Sequence, residues 1–226
     1  MQFLREHVLS GQQHDHHMLH MATTKSRVNQ CIDFDQALSI FFGYIDYCTG
    51  MPLTLLEKRM IYPLVKLKAL CRRQYLLREG EVCRNLSFVV KGALRFFSVN
   101  ARGQESVLQF GTENAWISDP ESVMLQRPTR YFIDALESTQ VLQLSAGHME
   151  ALIKSIPAIA RMTQLQESKE AIAFQKRAHE AISLSAEERY FNMLDAHPSY
   201  ERRFSKVMIA AYLGIKPETL SRIRKR

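Results

Sequence analysis

A chain of 226 residues has room for one large hydrophobic core or two modest ones, and its 46% apolar and 23% charged make-up is that of an ordinary soluble globular protein. The net charge of +7 is uneven: from Glu201 to Arg226 eight Lys or Arg stand against two Glu, so this segment alone carries +6, the electrostatic footprint of a phosphate-binding surface. Cys31, Cys48, Cys71 and Cys83 are scattered without a C-x-x-C pair, which argues against a zinc site or a disulfide framework, and no apolar run or signal-peptide pattern points to a membrane, so a cytoplasmic chain is expected.

Residues 1–37 are polar and hold a histidine cluster, His14, His16, His17 and His20, with no partner carboxylates on a clear helix face. We expect a mobile extension, with Met21 a second candidate start, and assign no metal and no cofactor. From Leu38 the period turns helical, with Leu38, Phe41, Phe42 and Ile45, and again after Pro52, with Leu55, Leu56, Met60 and Ile61. The pattern then changes. Leu86, Phe88 and Val90 alternate with their neighbours, Gly92 breaks the run, and further strands are expected over Leu94–Val99, Val107–Phe110, Tyr131–Leu136 and Thr139–Leu144, with a turn at Asn100–Gly103. Short strands with glycine at the corners predict an antiparallel roll.

Helical spacing returns over Gly147–Ile153 and in a long helix from Pro157 to about Ile182. Its interrupted stripe of Ile159, Met162, Leu165, Ile172 and Ala173 suits either an interdomain strut or half of a dimer contact. Ser185 with Glu188 three residues on reads as a capping box. Beyond His197-Pro198, Ser205 is an N-cap, Ile209 and Leu213 make an apolar stripe, Gly214 suits a left-handed C-cap, and Pro217 suits the first position of the next helix. Two helices so joined form a helix-turn-helix. In the second, Leu220 and Ile223 face inward and leave Glu218, Ser221, Arg222 and Lys225 outward. A solvated helical hairpin is the plainer reading, but small Ala210, Gly214 and the apolar set all fall where a DNA-reading unit needs them.

The order of elements, together with Tyr75-Leu-Leu-Arg-Glu-Gly80-Glu, Phe88-Val-Val-Lys-Gly92-Ala-Leu-Arg, Ala135-Leu-Glu137 and Tyr212 through Arg224, resembles the Crp/Fnr superfamily of transcription regulators, in its Bacteroidetes branch. The resemblance implies an α+β protein. Its parts would be an extension over 1–37, a cyclic-nucleotide-binding-like antiparallel β-roll with leading helices over 38–145, connecting and dimerisation helices over 146–183, and a wingless helix-turn-helix over 184–226. It further implies a homodimer whose recognition helices enter successive major grooves of a near-palindrome, about 34 Å apart. The family's base-reading positions match Glu218 and Arg222, and the chemistry agrees: Arg pairs with guanine O6 and N7, a carboxylate accepts from cytosine N4. A surface ion pair between the two is the alternative. Ser205, Lys206, Lys216, Thr219, Ser221, Arg224, Lys225 and Arg226 are expected phosphate contacts. Lys216 stands where many relatives carry a capping Thr or Ser, which gives up about 1 kcal/mol.

In cAMP-binding members a Gly-Glu pair holds the ribose and an Arg-Ser or Arg-Thr pair the phosphate. Here the corresponding stretches read Trp116-Ile-Ser-Asp119 and Arg127-Pro-Thr-Arg130. By register from Ala135 the arginine position falls at Thr129, and Arg130, one residue away, points to the other face. Cyclic AMP dependence is therefore not expected. Trp116, Asp119, Arg127, Thr129 and Arg130 are the candidate pocket for an unknown small-molecule effector, with Trp116 equally suited to the core. No Ser/His/Asp or Cys/His set is placed for catalysis, so no enzyme is expected. The competing reading is a small-molecule-binding roll with a vestigial helix-turn-helix.

Overall fold

The computed structural model describes residues 31–225. The four N-terminal histidines, Met21 and Arg226 lie outside the described residues. Helix α1 (Phe34–Thr49) begins inside the stretch expected as an extension, because Asp33 and Gln36 form a reciprocal capping box, each side chain accepting the other's backbone N–H. Helix α2 (Leu55–Ile61) is started the same way by Thr54 and Glu57. A 3-10 turn at Tyr62–Leu64 leads into eight strands.

The strands are β1 (Val65–Leu70), β2 (Tyr75–Leu77), β3 (Asn85–Lys91), β4 (Leu94–Val99), β5 (Glu105–Gly111), β6 (Trp116–Ile117), β7 (Phe132–Ala135) and β8 (Thr139–Ser145). They form two four-stranded sheets, ordered β1-β8-β3-β6 and β2-β7-β4-β5, and each described pairing is antiparallel. The expected strands are all present. To them the structure adds β1, whose signal was the alternation of Val65, Leu67 and Ala69 with Lys66 and Lys68, and the short β2 and β6, which carry too few residues to show a period.

Side-chain alternation along these strands divides the apolar residues among three clusters. Val89, Leu94, Phe96, Ile133 and Val141 fill the roll between the sheets. On the outer side of the first sheet, Phe88, Val90, Trp116, Leu142 and Leu144 meet α1, α4 (Ala146–Ser155) and the start of α5 (Pro157–Ser183), through Phe41, Ile45, Leu152, Ile159 and Met162. On the outer side of the second sheet, Ala93, Phe97, Val107 and Phe110 meet the C-terminal helices.

Two local irregularities shape the second sheet. The partner of Phe96 is Gln109 and that of Phe97 is Val107, so Leu108 is an extra residue in β5. This bulge lets Val107 and Phe110, three apart, both join the outer cluster. Gly92, at φ +94, turns β3 into β4, and a Cβ there would lie 2.5 Å from Thr139 Oγ1 and 2.6 Å from the Ser138 carbonyl.

Along α5 the stripe expected from the sequence is divided. Ile159 and Met162 are buried against the chain's own first sheet. Farther along, Ala171, Phe174, Ala178 and Ile182, spaced by three, four and four, form an exposed stripe, with Phe174 74% and Ile182 87% exposed. Among the described residues no helix is long and apolar enough to cross a membrane.

Gly92→Ala is expected to lower the unfolding free energy by about 2 kcal/mol or more, because it combines a left-handed φ with a backbone clash. Gly43→Ala, in mid-helix with no atom within 4 Å of the added carbon, is expected to be neutral or to stabilise by about 0.5–1 kcal/mol. Urea unfolding midpoints distinguish the two.

Candidate nucleic-acid interface

Four short helices end the described chain: α6 (Ala186–Ala196), α7 (Tyr200–Arg203), α8 (Lys206–Leu213) and α9 (Pro217–Ile223). Their starts and stops follow local chemistry. Ser185 and Glu188 make the capping box of α6, and the Ser205 hydroxyl accepts the Met208 N–H to start α8. Gly214, at φ +67, closes α8 in the left-handed conformation, its N–H on the Ala210 carbonyl. Pro217 opens α9, and Lys216 before it makes no side-chain cap bond.

Ile209, Ala210, Leu213, Leu220 and Ile223 are buried together with Tyr190 and Met193 of α6. That core fixes which side of α9 faces water. Glu218 and Arg222 are both exposed, and among the described residues no ion pair joins them to each other or to another group. Lys206, Lys216 and Lys225 are exposed as well, as is Ser205, whose hydroxyl is the α8 cap, while Thr219 and Ser221 are half-buried.

Among the described residues, two cations of this segment have protein partners instead. Arg224, expected at a phosphate, pairs with Glu201 at 2.8 Å, and that carboxylate also accepts the Tyr190 hydroxyl at 2.7 Å. Partial burial and the Glu201 carboxylate together raise the Tyr190 phenol to about 12. Arg203 forks onto Glu113 at 2.7 Å through each of two nitrogens and reaches Glu137 at 2.6 Å. Glu113 in turn accepts the Gly92 N–H at 2.9 Å. Burial alone would raise the Glu113 carboxyl, but the hydrogen bonds from Arg203 and from backbone N–H groups leave it below the usual carboxylate range.

These ion pairs sit at the edge of a seam between the second sheet and the C-terminal helices, which the sequence reading did not anticipate. Phe110 stacks on Phe204 at 4.1 Å and meets Tyr200 edge-on at 5.3 Å and Tyr212 at 5.2 Å. Arg177 of α5 donates to the Leu108 carbonyl, at the bulge, and lies over the Tyr212 ring at 4.3 Å. Phe204, just before the Ser205 cap, was the one local hint, since a hydrophobic residue there commonly fixes the approach to a helix. Despite this packing, the outward face of α9 is not turned into protein.

Of the candidate effector residues, Asp119 and Thr129 meet, and Trp116, Arg127 and Arg130 do not join them. The Trp116 indole packs against Phe41 at 5.7 Å and Phe88 at 5.5 Å, in the helix-facing cluster and not in the roll interior. Asp119, 3% exposed, caps the short helix α3 (Pro120–Leu125) and accepts the Thr129 hydroxyl at 2.5 Å. The Ser122 hydroxyl donates to the Arg127 carbonyl, while the Arg127 side chain is exposed. Arg130 is also exposed, 3.4 Å from Glu121. The loop from Asp119 to Arg130 is thus bonded within itself, with a buried carboxylate and a threonine at its centre and both arginines outside.

Comparison with known proteins agrees with this architecture. Residues 67–155 match the family of the cyclic nucleotide-binding domain. No curated protein matches the chain by sequence. FixK2 from Bradyrhizobium japonicum has a similar structure, with a TM-score of 0.61 at 18% identity over 71% of this chain and 83% of that one. The c-di-GMP responsive global regulator CLP of Xanthomonas campestris gives 0.61 at 14% identity over 76% and 90%. A protein from Eubacterium rectale assigned to the crp/fnr family of transcriptional regulators gives 0.60 at 17% identity over 76% and 82%. At these identities the likeness is one of fold: a cyclic-nucleotide-binding β-roll followed by helices, shared with regulators of transcription.

Removing the Arg203 fork is expected to loosen the seam without unfolding the roll. In Arg203→Ala, hydrogen exchange should quicken over residues 200–213 while β3 and β8 keep their protection. The same loosening should follow acidification in the wild type. Because the folded Glu113 carboxyl titrates below its ordinary value, its contribution is present near neutral pH and is lost as pH falls through that depressed value.

Proposed function

We propose that the chain is a sequence-specific DNA-binding transcription regulator of the Crp/Fnr type that acts as a homodimer without depending on cAMP. The observation that carries this reading is α9. Its apolar residues Leu220 and Ile223 are buried, and its opposite face offers Glu218 and Arg222, one turn apart, to solvent with no ion-pair partner among the described residues. Arg222 would read guanine through paired donors and Glu218 would accept from cytosine, while Ser205, Lys206, Lys216, Thr219, Ser221 and Lys225 would hold the phosphates on either side. Arg224 contributes by positioning, through Glu201 of α7 and Tyr190 of α6.

Dimerisation is supported by the exposed stripe on α5. A second copy of the same stripe would cover Phe174 and Ile182, with Ala171 and Ala178 allowing close approach of the two helices. Independence from cAMP is supported by the cassette at Asp119 and Thr129. A cyclic phosphate there would meet a carboxylate instead of an arginine, and an unpaired buried anion is strongly disfavoured.

Selection from random duplexes followed by gel shift tests the first point. Arg222→Ala is expected to cost about 1–3 kcal/mol on the selected site and to relax the base preference at one position, with Lys225→Ala weakening all duplexes alike and cAMP changing neither. Equal, weak binding of every duplex by wild type and Arg222→Ala would overturn base reading. For the dimer, sedimentation of Phe174→Glu with Ile182→Glu should show monomers where the wild type shows dimers. A wild-type monomer at concentrations that saturate DNA would refute it.

A further inference from the structure

The seam between β5, α5 and the C-terminal helices lines a half-open cavity of about 420 Å³. The side of α5 that faces it carries Lys176, Arg177 and Glu180, and Arg189, His197 and Tyr212 complete its polar wall. This side lies roughly opposite the exposed Phe174 and Ile182 stripe around the helix. We propose that the cavity binds a small organic anion, a carboxylate or phosphate head on a flat apolar body, and that it is an effector site separate from the cassette of the roll.

Charge is the first argument. Three cations line the cavity against one carboxylate, and that carboxylate is already engaged. Glu180 accepts the Asn192 amide at 3.1 Å and lies 3.8 Å from Lys176. Arg177 is committed to the Leu108 carbonyl and the Tyr212 ring. Arg189 is the cation left over, its Nε buried with no acceptor among the described residues. An anion in the cavity that Arg189 lines would supply this guanidinium with the countercharge that no described carboxylate gives it. Lys176, held only at 3.8 Å and with 62% of its side chain exposed, is free to turn onto the same ligand.

His197 adds no positive charge to this wall near neutral pH. Its ring stacks on Tyr200 at 4.3 Å, and removal from water, then the Lys176 charge, push its pKa down. The wall therefore presents a neutral imidazole beside excess positive charge, a combination suited to one anionic head.

The remaining lining sets the body of the ligand. Leu108, Ala173, Met193 and the Tyr212 ring are apolar surfaces, and the volume lies within the roughly 300–1,000 Å³ typical of small-molecule sites. An occupant would touch the sheet, the long helix and the C-terminal unit together, so its binding free energy would depend on how they are docked. The binding site stands whether or not the chain reads DNA; the coupling to α9 rests on the function proposed above.

Calorimetric titration of the full chain at fixed ionic strength tests the site without DNA. The probes are phenyl phosphate, benzoate and inorganic phosphate, and the proteins are wild type, Arg189→Gln, Lys176→Gln and, as a control outside the cavity, Lys154→Gln. One organic anion should bind the wild type saturably, one molecule per chain, and which of the two binds identifies the head group. The Kd should rise about tenfold or more in Arg189→Gln and in Lys176→Gln and stay unchanged in Lys154→Gln. Lys176 is solvent-facing enough that its variant keeps the fold, and the unfolding transition of each variant is measured alongside. Absence of saturable binding of both organic anions, equal affinity in all four proteins, or inorganic phosphate binding as tightly as phenyl phosphate would overturn the assignment.

Discussion

Phe110 lies on the outer face of a sheet that would otherwise present Ala93, Phe97 and Val107 to water, and the stack of Phe204 on its ring is what brings the end of the chain to that face. Burying one aromatic side chain is worth about 1.5–3 kcal/mol, with a further 0.5–1.5 for a well-placed ring pair. Here Tyr200 and Tyr212 close on the same ring from other sides. The charged fork from Arg203 to Glu113 and Glu137 adds less free energy, because all three groups are partly solvated, but its paired geometry sets the angle of approach. The bulge at Leu108 belongs to the same constraint. It brings Phe110 onto the outer face and leaves a carbonyl for Arg177.

From that seam the rest of the architecture divides into jobs. The first sheet, covered by α1, α4 and α5, holds the long helix at its beginning. The second sheet holds the C-terminal unit. Between these anchors α5 runs with one side toward the seam cavity and the other toward solvent. A ligand at the seam and a second copy on the exposed stripe would thus act on opposite sides of one rigid rod. Under the proposed function, such a rod would couple a ligand at the seam to the spacing of the two recognition helices. The cassette of the roll, bonded within itself through Asp119, Thr129 and Ser122, is built for rigidity.

Much of the fold was legible because its signals are local. Capping pairs at Ser185 and Glu188, Gly214 and Pro217, and the alternation around Phe88 are each set within a few residues, where backbone hydrogen bonding decides. The start of α1 was equally local, through Asp33 and Gln36, and the β1 alternation was present as well. Trp116 was divided between core and pocket, since a lone tryptophan on a two-residue strand carries no period to say which sheet face it takes.

By itself the sequence determined which side of α9 is apolar and that basic residues gather at the C-terminal end. Both follow from residue identity and short-range spacing. Only the tertiary structure decided which of those basic residues face solvent. Arg203 and Arg224 look the same in sequence as Arg222, yet their partners are Glu113, Glu137 and Glu201. Two of those three carboxylates are brought close across 90 and 66 residues of chain. The physical reason is that an ion pair forms where folding places opposite charges together, and contacts so distant along the chain leave no local pattern to read.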